Sequence, residues 1–95
     1  MAERLADSEI DERLQASSWG REGDALVRDF ELADYTAAMA LANAVAAAAE
    51  AANHHPDILV HGYKHVRLTL STHSAGGITE GDFALAGMID GLART

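Results

Sequence analysis

Three histidines supply the groups in this chain best suited to moving protons. His54 and His55 are adjacent and lead into Pro56, and His73 lies eighteen residues after the second of them, shortly before a Gly76-Gly77 pair. Neutral imidazole accepts and donates protons near pH 7, so three close together suit a reaction that removes one proton while adding another. Pro56 is the only proline in the chain. Its ring fixes φ near about −65° and pushes the preceding His55 toward an extended backbone, so a helix does not run easily through the pair. Glu50 stands four residues before His54 and faces the same side if the helical turn persists that far.

Other chemistries fit these residues less well. Three imidazoles with Glu50 could satisfy zinc or iron. However, adjacent histidines on an extended backbone project their rings apart, and no His-x-His or His-x-x-x-His spacing carries the site, so no metal is expected. Gly76-Gly77 ahead of a helix suggests a phosphate cradle, but no lysine accompanies it, and Glu80 and Asp82 would repel an anion. The pair reads as a structural turn. His61 falls in a hairpin turn and His65 on a polar strand face, and both read as solvated. Trp19 and Phe30 read as core residues of a first hairpin, with an aromatic wall for a flat heterocycle as the alternative.

The elements that must position the histidines follow from pattern and punctuation. Ser8 followed by Glu9, Asp11 and Glu12 resembles an N-cap with an acidic first turn, which predicts a short helix over 9–16 with Ile10 and Leu14 on its apolar edge. Two antiparallel strands are expected on either side of Gly23-Asp24, the second being the alternating run up to Leu32. Asp34 caps an alanine-rich helix from Tyr35 to about Ala52, and Ala38, Ala42, Ala46 and Ala49 make a face that allows close approach.

Residues 58–60 then form a third strand, residues 61–63 a turn, and residues 64–72 a fourth strand. In that strand Val66, Leu68 and Leu70 share one face, while parity puts His73 on the polar face. Thr79 and Asp82 resemble a capping box that opens a last helix, with Phe83, Leu85, Ala86, Met88, Ile89 and Leu92 inward. The expected fold is α+β: a four-stranded antiparallel sheet with three helices packed on one face, in the order helix-strand-strand-helix-strand-strand-helix.

Composition limits the function. Ninety-five residues suit one domain, read as spanning 1–95, and a chain of this size buries only roughly 60 to 65% of the surface its unfolded form exposes. Self-association would help it. Seven basic against fifteen acidic residues give a net charge of −8, so no nucleic-acid partner is expected. With no cysteine, disulfides and thiolate metal sites are absent, which is compatible with a cytoplasmic location. The first seven residues carry acidic side chains and no apolar core, unlike a secretory leader, and no stretch is apolar enough to suggest a membrane partner.

Glu50, the His54-His55-Pro56 run, the alternating residues 65–71, Thr72-His73, Gly76-Gly77 and Thr79-Glu80-Gly81-Asp82-Phe83 together resemble one family over residues 17–93. These are the pterin-4a-carbinolamine dehydratases, also known as dimerisation cofactors of a homeodomain transcription factor. The resemblance implies dehydration of 4a-hydroxytetrahydropterins to quinonoid dihydropterin, without metal or cofactor, in support of tetrahydrobiopterin recycling. It implies His54, His55 and His73 as catalytic, and Glu50, Asn53, Pro56, Asp57 and Asp82 as substrate-binding or orienting residues.

It also implies a homodimer or homotetramer. Gly81 stands where some animal relatives carry arginine, and Asn53 where some members carry aspartate. The alternative is a non-catalytic interaction module, since relatives serve as transcriptional cofactors or as assembly factors for the carbon-fixing carboxylase. Such a module can lose the histidine triplet, whereas this chain retains it.

Overall fold

The computed structural model describes residues 3–93. Its elements are α1 (Asp7–Leu14), β1 (Gly20–Glu22), β2 (Ala25–Glu31), α2 (Tyr35–Ala52), β3 (Asp57–His61), β4 (His65–Leu70), a single 3-10 turn (His73–Ala75) and α3 (Glu80–Ala93). The fold is the expected α+β arrangement. All strand pairs are antiparallel and the order across the sheet is β1-β2-β4-β3, so the last hairpin inserts β4 at the centre beside β2.

The alternation in β4 separates the two faces of the sheet. Val66, Leu68 and Leu70 are fully buried under the helices, while His65, Arg67 and Thr69 point to the helix-free side. Register extends this to β2, where Leu26 lies opposite Leu70 and Phe30 opposite Val66. From the helices come Ile10 of α1, Val45 and Ala49 of α2, and Leu85 and Ile89 of α3. Burying each large aliphatic side chain stabilises the fold by about 1.5 to 3 kcal/mol. Leu68→Ala, at the centre of the sheet, would cost about 2 to 5 kcal/mol once the cavity is included.

Several local expectations are corrected. The first helix begins at Asp7 rather than Glu9 and ends at Leu14 rather than residue 16; its N-cap is Ala6, with no side-chain bond, so Ser8 is not the cap. Ser8 instead lies in the first turn, beside Asp7, which pairs with Arg21 at 2.8 Å and Arg4 at 3.3 Å. In α2, Ala38, Ala42 and Ala49 of the expected close-approach face are buried within the chain, while Ala46 is exposed. Met88 of α3 is exposed rather than inward.

The fourth strand ends at Leu70 rather than residue 72, so His73 is not a strand residue, although it is exposed on the polar side as expected. The chain there is diverted by backbone bonds between Thr72 and Gly77: Thr72 N donates to Gly77 O at 2.9 Å and Gly77 N to Thr72 O at 3.3 Å. These bonds pinch off a small loop with His73 at its start. Gly76 closes the 3-10 turn at φ 73°, a left-handed conformation that glycine adopts without steric cost.

Candidate active site

The pair His54-His55 is oriented by the way α2 ends. Asp34 starts this helix by accepting from Ala37 N at 2.8 Å. At the other end, Asn53 adopts the left-handed conformation (φ 52°, ψ 42°), which asparagine tolerates better than most residues. Asn53 N donates to Glu50 O at 3.1 Å and His54 N to Ala49 O at 3.0 Å. This paired bonding closes the helix in a Schellman arrangement and satisfies carbonyls that would otherwise be orphaned. The reversal swings the two rings toward different carboxylates.

Consequently Glu50 does not face His54, as helical spacing alone suggests. It meets His55, with Oε1 3.1 Å from Nε2. Both groups are well exposed, so water screens this pair. His54 turns inward, and its Nε2 lies 2.5 Å from Oδ1 of Asp82, whose side chain is fully buried.

Asp82 sits in the first turn of α3, where a helix N-terminus favours negative charge. Its Oδ2 accepts from Thr79 N at 2.9 Å, which is the carboxylate arm of the expected capping box. The threonine arm is different. Thr79 Oγ1 lies 2.8 Å from Thr72 Oγ1, and Thr72 Oγ1 donates to Asp82 Oδ2 at 2.9 Å. The bridge pulls the end of β4 against the start of α3 and leaves no buried side-chain polar atom unsatisfied among the described residues.

The three histidines line one two-lobed cleft at this end of the sheet. The larger lobe, about 400 Å³, is lined by His55 and His73 together with Asp57, Thr69 and Ser71, and is closed by Asp24, Ala25 and the Gly76-Gly77 backbone. The smaller, about 290 Å³, adds His54, Asn53, Thr72 and Ser74 while sharing His55, Ser71 and His73. Of the residues singled out from sequence, His54, His55, His73, Asn53 and Asp57 therefore border the cleft. Asp82 reaches it through His54. Glu50 and Pro56 line neither lobe. Among the described residues, no group of three or more histidine, aspartate or glutamate side chains could hold a metal ion.

Asp24, Thr69 and Ser71 were not anticipated at the cleft. Ser71 Oγ donates to Asp24 O at 2.7 Å, tying the β1–β2 turn to the end of β4. The available signal was the pairing of β2 with β4, which sequence alternation alone does not fix. The N-terminal segment also contributes: Leu5 N donates to Ile78 O at 2.8 Å, and Arg4 bridges to Asp24 at 3.0 Å. Asp24, Asp7 and hydrogen bonding hold the Arg4 guanidinium pKa above its ordinary value. The Arg4 side chain covers Gly77 so closely that an added Cβ there would stand 2.6 Å from its Nε.

His61 and His65 lie outside the cleft as cross-strand partners at the end of the last hairpin, stacked with centroids 5.4 Å apart. Trp19 is buried, as its core reading required, and its Nε1 donates to Asp90 Oδ1 at 2.8 Å. Phe30 is half-buried against the core beneath the Arg28 guanidinium.

Known proteins match both the sequence and the fold. The family model described as pterin 4 alpha carbinolamine dehydratase matches residues 3–92. A Chloroflexus aurantiacus protein described as "Putative pterin-4-alpha-carbinolamine dehydratase" is 53% identical over 88 residues, covering 92% of this chain and 94% of the relative. A Natronomonas pharaonis protein with the same description is 44% identical, over 99% of this chain and 100% of the relative.

Among solved structures, a transcriptional coactivator/pterin dehydratase from Brucella melitensis superposes with a TM-score of 0.87 at 34% identity, covering 95% of this chain and 98% of that one. A pterin dehydratase-like protein identified as a RuBisCO assembly factor in the alpha-carboxysome superposes with a TM-score of 0.68 at 31% identity, covering 82% and 92%.

Proposed function

This chain belongs to the pterin 4 alpha carbinolamine dehydratase family, and from that membership we propose that it eliminates water from 4a-hydroxytetrahydropterins to give quinonoid dihydropterins. The observation that carries the reading is the gathering of His54, His55 and His73 around one cleft, with Asp82 behind the first. In the reaction a proton reaches the 4a-hydroxyl, the C4a–O bond breaks with its electron pair leaving on water, and N5 loses a proton. The pair freed at N5 forms the N5=C4a double bond, so no electrons are exchanged with another reactant.

His55, in the wider lobe, takes the N5 proton. His54 and His73 approach the hydroxyl as acids. Asp82 orients His54 and Glu50 steadies His55 from the rim, while Asn53 and Asp57 border the bound ring and Pro56 sets the path of the chain between them. The open sheet face at Thr69 and Ser71 gives a flat heterocycle room to lie against the strands. The protein acts in the cytoplasm in tetrahydrobiopterin recycling, as a homodimer or homotetramer whose contacts use the apolar groups left exposed on the outer helices, Tyr35, Met39 and Met88. Among the described residues no helix is long and apolar enough to cross a membrane.

Formation of quinonoid dihydropterin from freshly prepared carbinolamine, followed by stopped-flow absorbance, tests the reading. Acceleration over the uncatalysed rate is expected. A purified, folded and oligomeric chain that leaves that rate unchanged would displace the enzyme reading in favour of an interaction module. The RuBisCO assembly factor among its structural relatives makes that module the specific second reading.

A further inference from the structure

We infer that Thr72 is a positioning residue whose hydroxyl fixes the Asp82 carboxylate and thereby commits His54 to exchange protons with substrate through Nδ1 alone. The inference rests on the dehydratase reading for its catalytic consequence, but the proton directions follow from the bonds themselves. Thr72 has one hydroxyl proton, and it goes to Asp82 Oδ2 at 2.9 Å. The 2.8 Å contact between the two threonine oxygens must then use the Thr79 proton, with Thr72 accepting. Oδ2 also accepts from Thr79 N at 2.9 Å. With Oδ2 held from two directions, the plane of the carboxylate is set and Oδ1 is left for a single partner, Nε2 of His54 at 2.5 Å.

A carboxylate has only acceptors to offer, so the ring nitrogen facing it must carry the hydrogen. That fixes the tautomer: Nε2 keeps its hydrogen, and Nδ1 is the nitrogen that first takes up a proton and then, as the acid, delivers it to the 4a-hydroxyl. Among the described residues no hydrogen bond reaches Nδ1, and His54 borders the smaller lobe of the cleft beside His55 and His73. Asp82, Thr72 and Thr79 are buried, so water does not compete for these bonds. A threonine two residues beyond the end of a strand thus controls which atom of a histidine eighteen positions earlier can react.

Nitrogen-15 NMR of the histidine rings, with turnover measured alongside, tests this. In the wild-type protein His54 should give the signature of a single Nε2-protonated tautomer. Thr72→Val should mix the tautomers and lower kcat by about tenfold, with KM changed by less than about twofold, because a misaligned acid or base weakens the proton transfer step rather than binding. Thr72→Ser, which keeps the hydroxyl, should restore both.

A single Nε2-protonated tautomer with wild-type kcat in Thr72→Val would overturn the inference, as would equal damage from valine and serine. If Thr72→Val does not fold, the ring spectra of Thr72→Ser and Thr79→Val decide. Serine must keep the wild-type tautomer, Thr79→Val must loosen it, and the reverse pattern overturns the inference. A wild-type protein without dehydratase activity would refute the functional reading instead, since the tautomer is observed without substrate.

Discussion

Each end of α3 carries an aspartate that gathers donors from distant parts of the chain. Near its C-terminus Asp90, partly exposed, accepts from the Trp19 indole and the Arg28 guanidinium. At its N-terminus Asp82, fully buried, accepts from a threonine hydroxyl, a backbone amide and the His54 ring. Both networks join a strand or its approach to the same helix. They differ in what the donors can do: indole and guanidinium keep their protons at any physiological pH, so the Asp90 cluster only fastens, whereas imidazole can release and recover one. A carboxylate network becomes a candidate for chemistry when one of its donors is an imidazole that borders a cleft, as the His54 ring does and the Trp19 indole does not.

The largest expected effect lies at the N-terminal end. On the proposed reading, His55→Ala should reduce turnover by roughly 10- to 10,000-fold, the range for losing a positioned acid or base, with His54→Ala and His73→Ala equal or milder because that reading gives the two an overlapping role as acids. Single-turnover kinetics on variants with wild-type circular dichroism measures it. Wild-type turnover in His55→Ala would remove the contrast between the two ends.

At the other end the effect should appear in stability alone. Asp90→Ala strands the indole N–H and the Arg28 guanidinium, which predicts a loss of about 1 to 3 kcal/mol of unfolding free energy, seen as a lower urea midpoint, with kcat nearly unchanged. A drop in kcat comparable to that of the histidine variants would mean that Asp90 is more than a fastener.

Two changes should leave activity almost untouched. A chelator should not affect turnover, because the reading assigns every proton transfer to an imidazole; activity lost with chelator and recovered with zinc or iron would overturn that assignment. His61→Ala and His65→Ala should stay within about twofold of wild type, since those rings stack on each other away from the cleft.

The smallest effect concerns acid stability. Arg13 grips Glu80 through bonds of 2.8 and 3.0 Å, and that bonding holds the Glu80 carboxyl below its ordinary value of 4.5. A depressed carboxyl contributes stability that is present above its unfolded pKa and lost as pH falls through the lower folded one. Arg13→Met should therefore lose less stability between neutral pH and the acid range than wild type does, seen as a shallower fall in the thermal midpoint. An unchanged slope would show that the solvent-exposed pair contributes nothing measurable.

The sheet and its helices were legible because each repeats one simple rule. Alternation in residues 66–70 marked the buried face of β4, alanine content marked α2, and the Thr79–Asp82 spacing marked the start of α3. The histidine cluster was legible by residue type. Its wiring was not: helical spacing paired Glu50 with His54, but the left-handed turn at Asn53 rotates the pair so that Glu50 meets His55 and His54 meets Asp82. The extent of β4 was misread, because the Thr72–Gly77 bonds end it before His73, although His73 still shares a lobe of the cleft with Thr69 and Ser71 of the polar face, as parity suggested. Asp24 and Arg4 reach the cleft wall only through tertiary register, which no local pattern encodes.

The reversal at Asn53 also bears on how such a site can be tuned. Two rings joined by a single peptide bond would ordinarily share surroundings, so a substitution near one would disturb both. Here one ring answers to a carboxylate on α3 and the other to a carboxylate on α2, so the two are separately adjustable controls although the chain writes them side by side. Selection or design could retune the inner ring by altering Asp82 and leave the outer one as it was, or the converse through Glu50. A β-branched residue at position 53, which resists the left-handed turn, would merge the two controls into one.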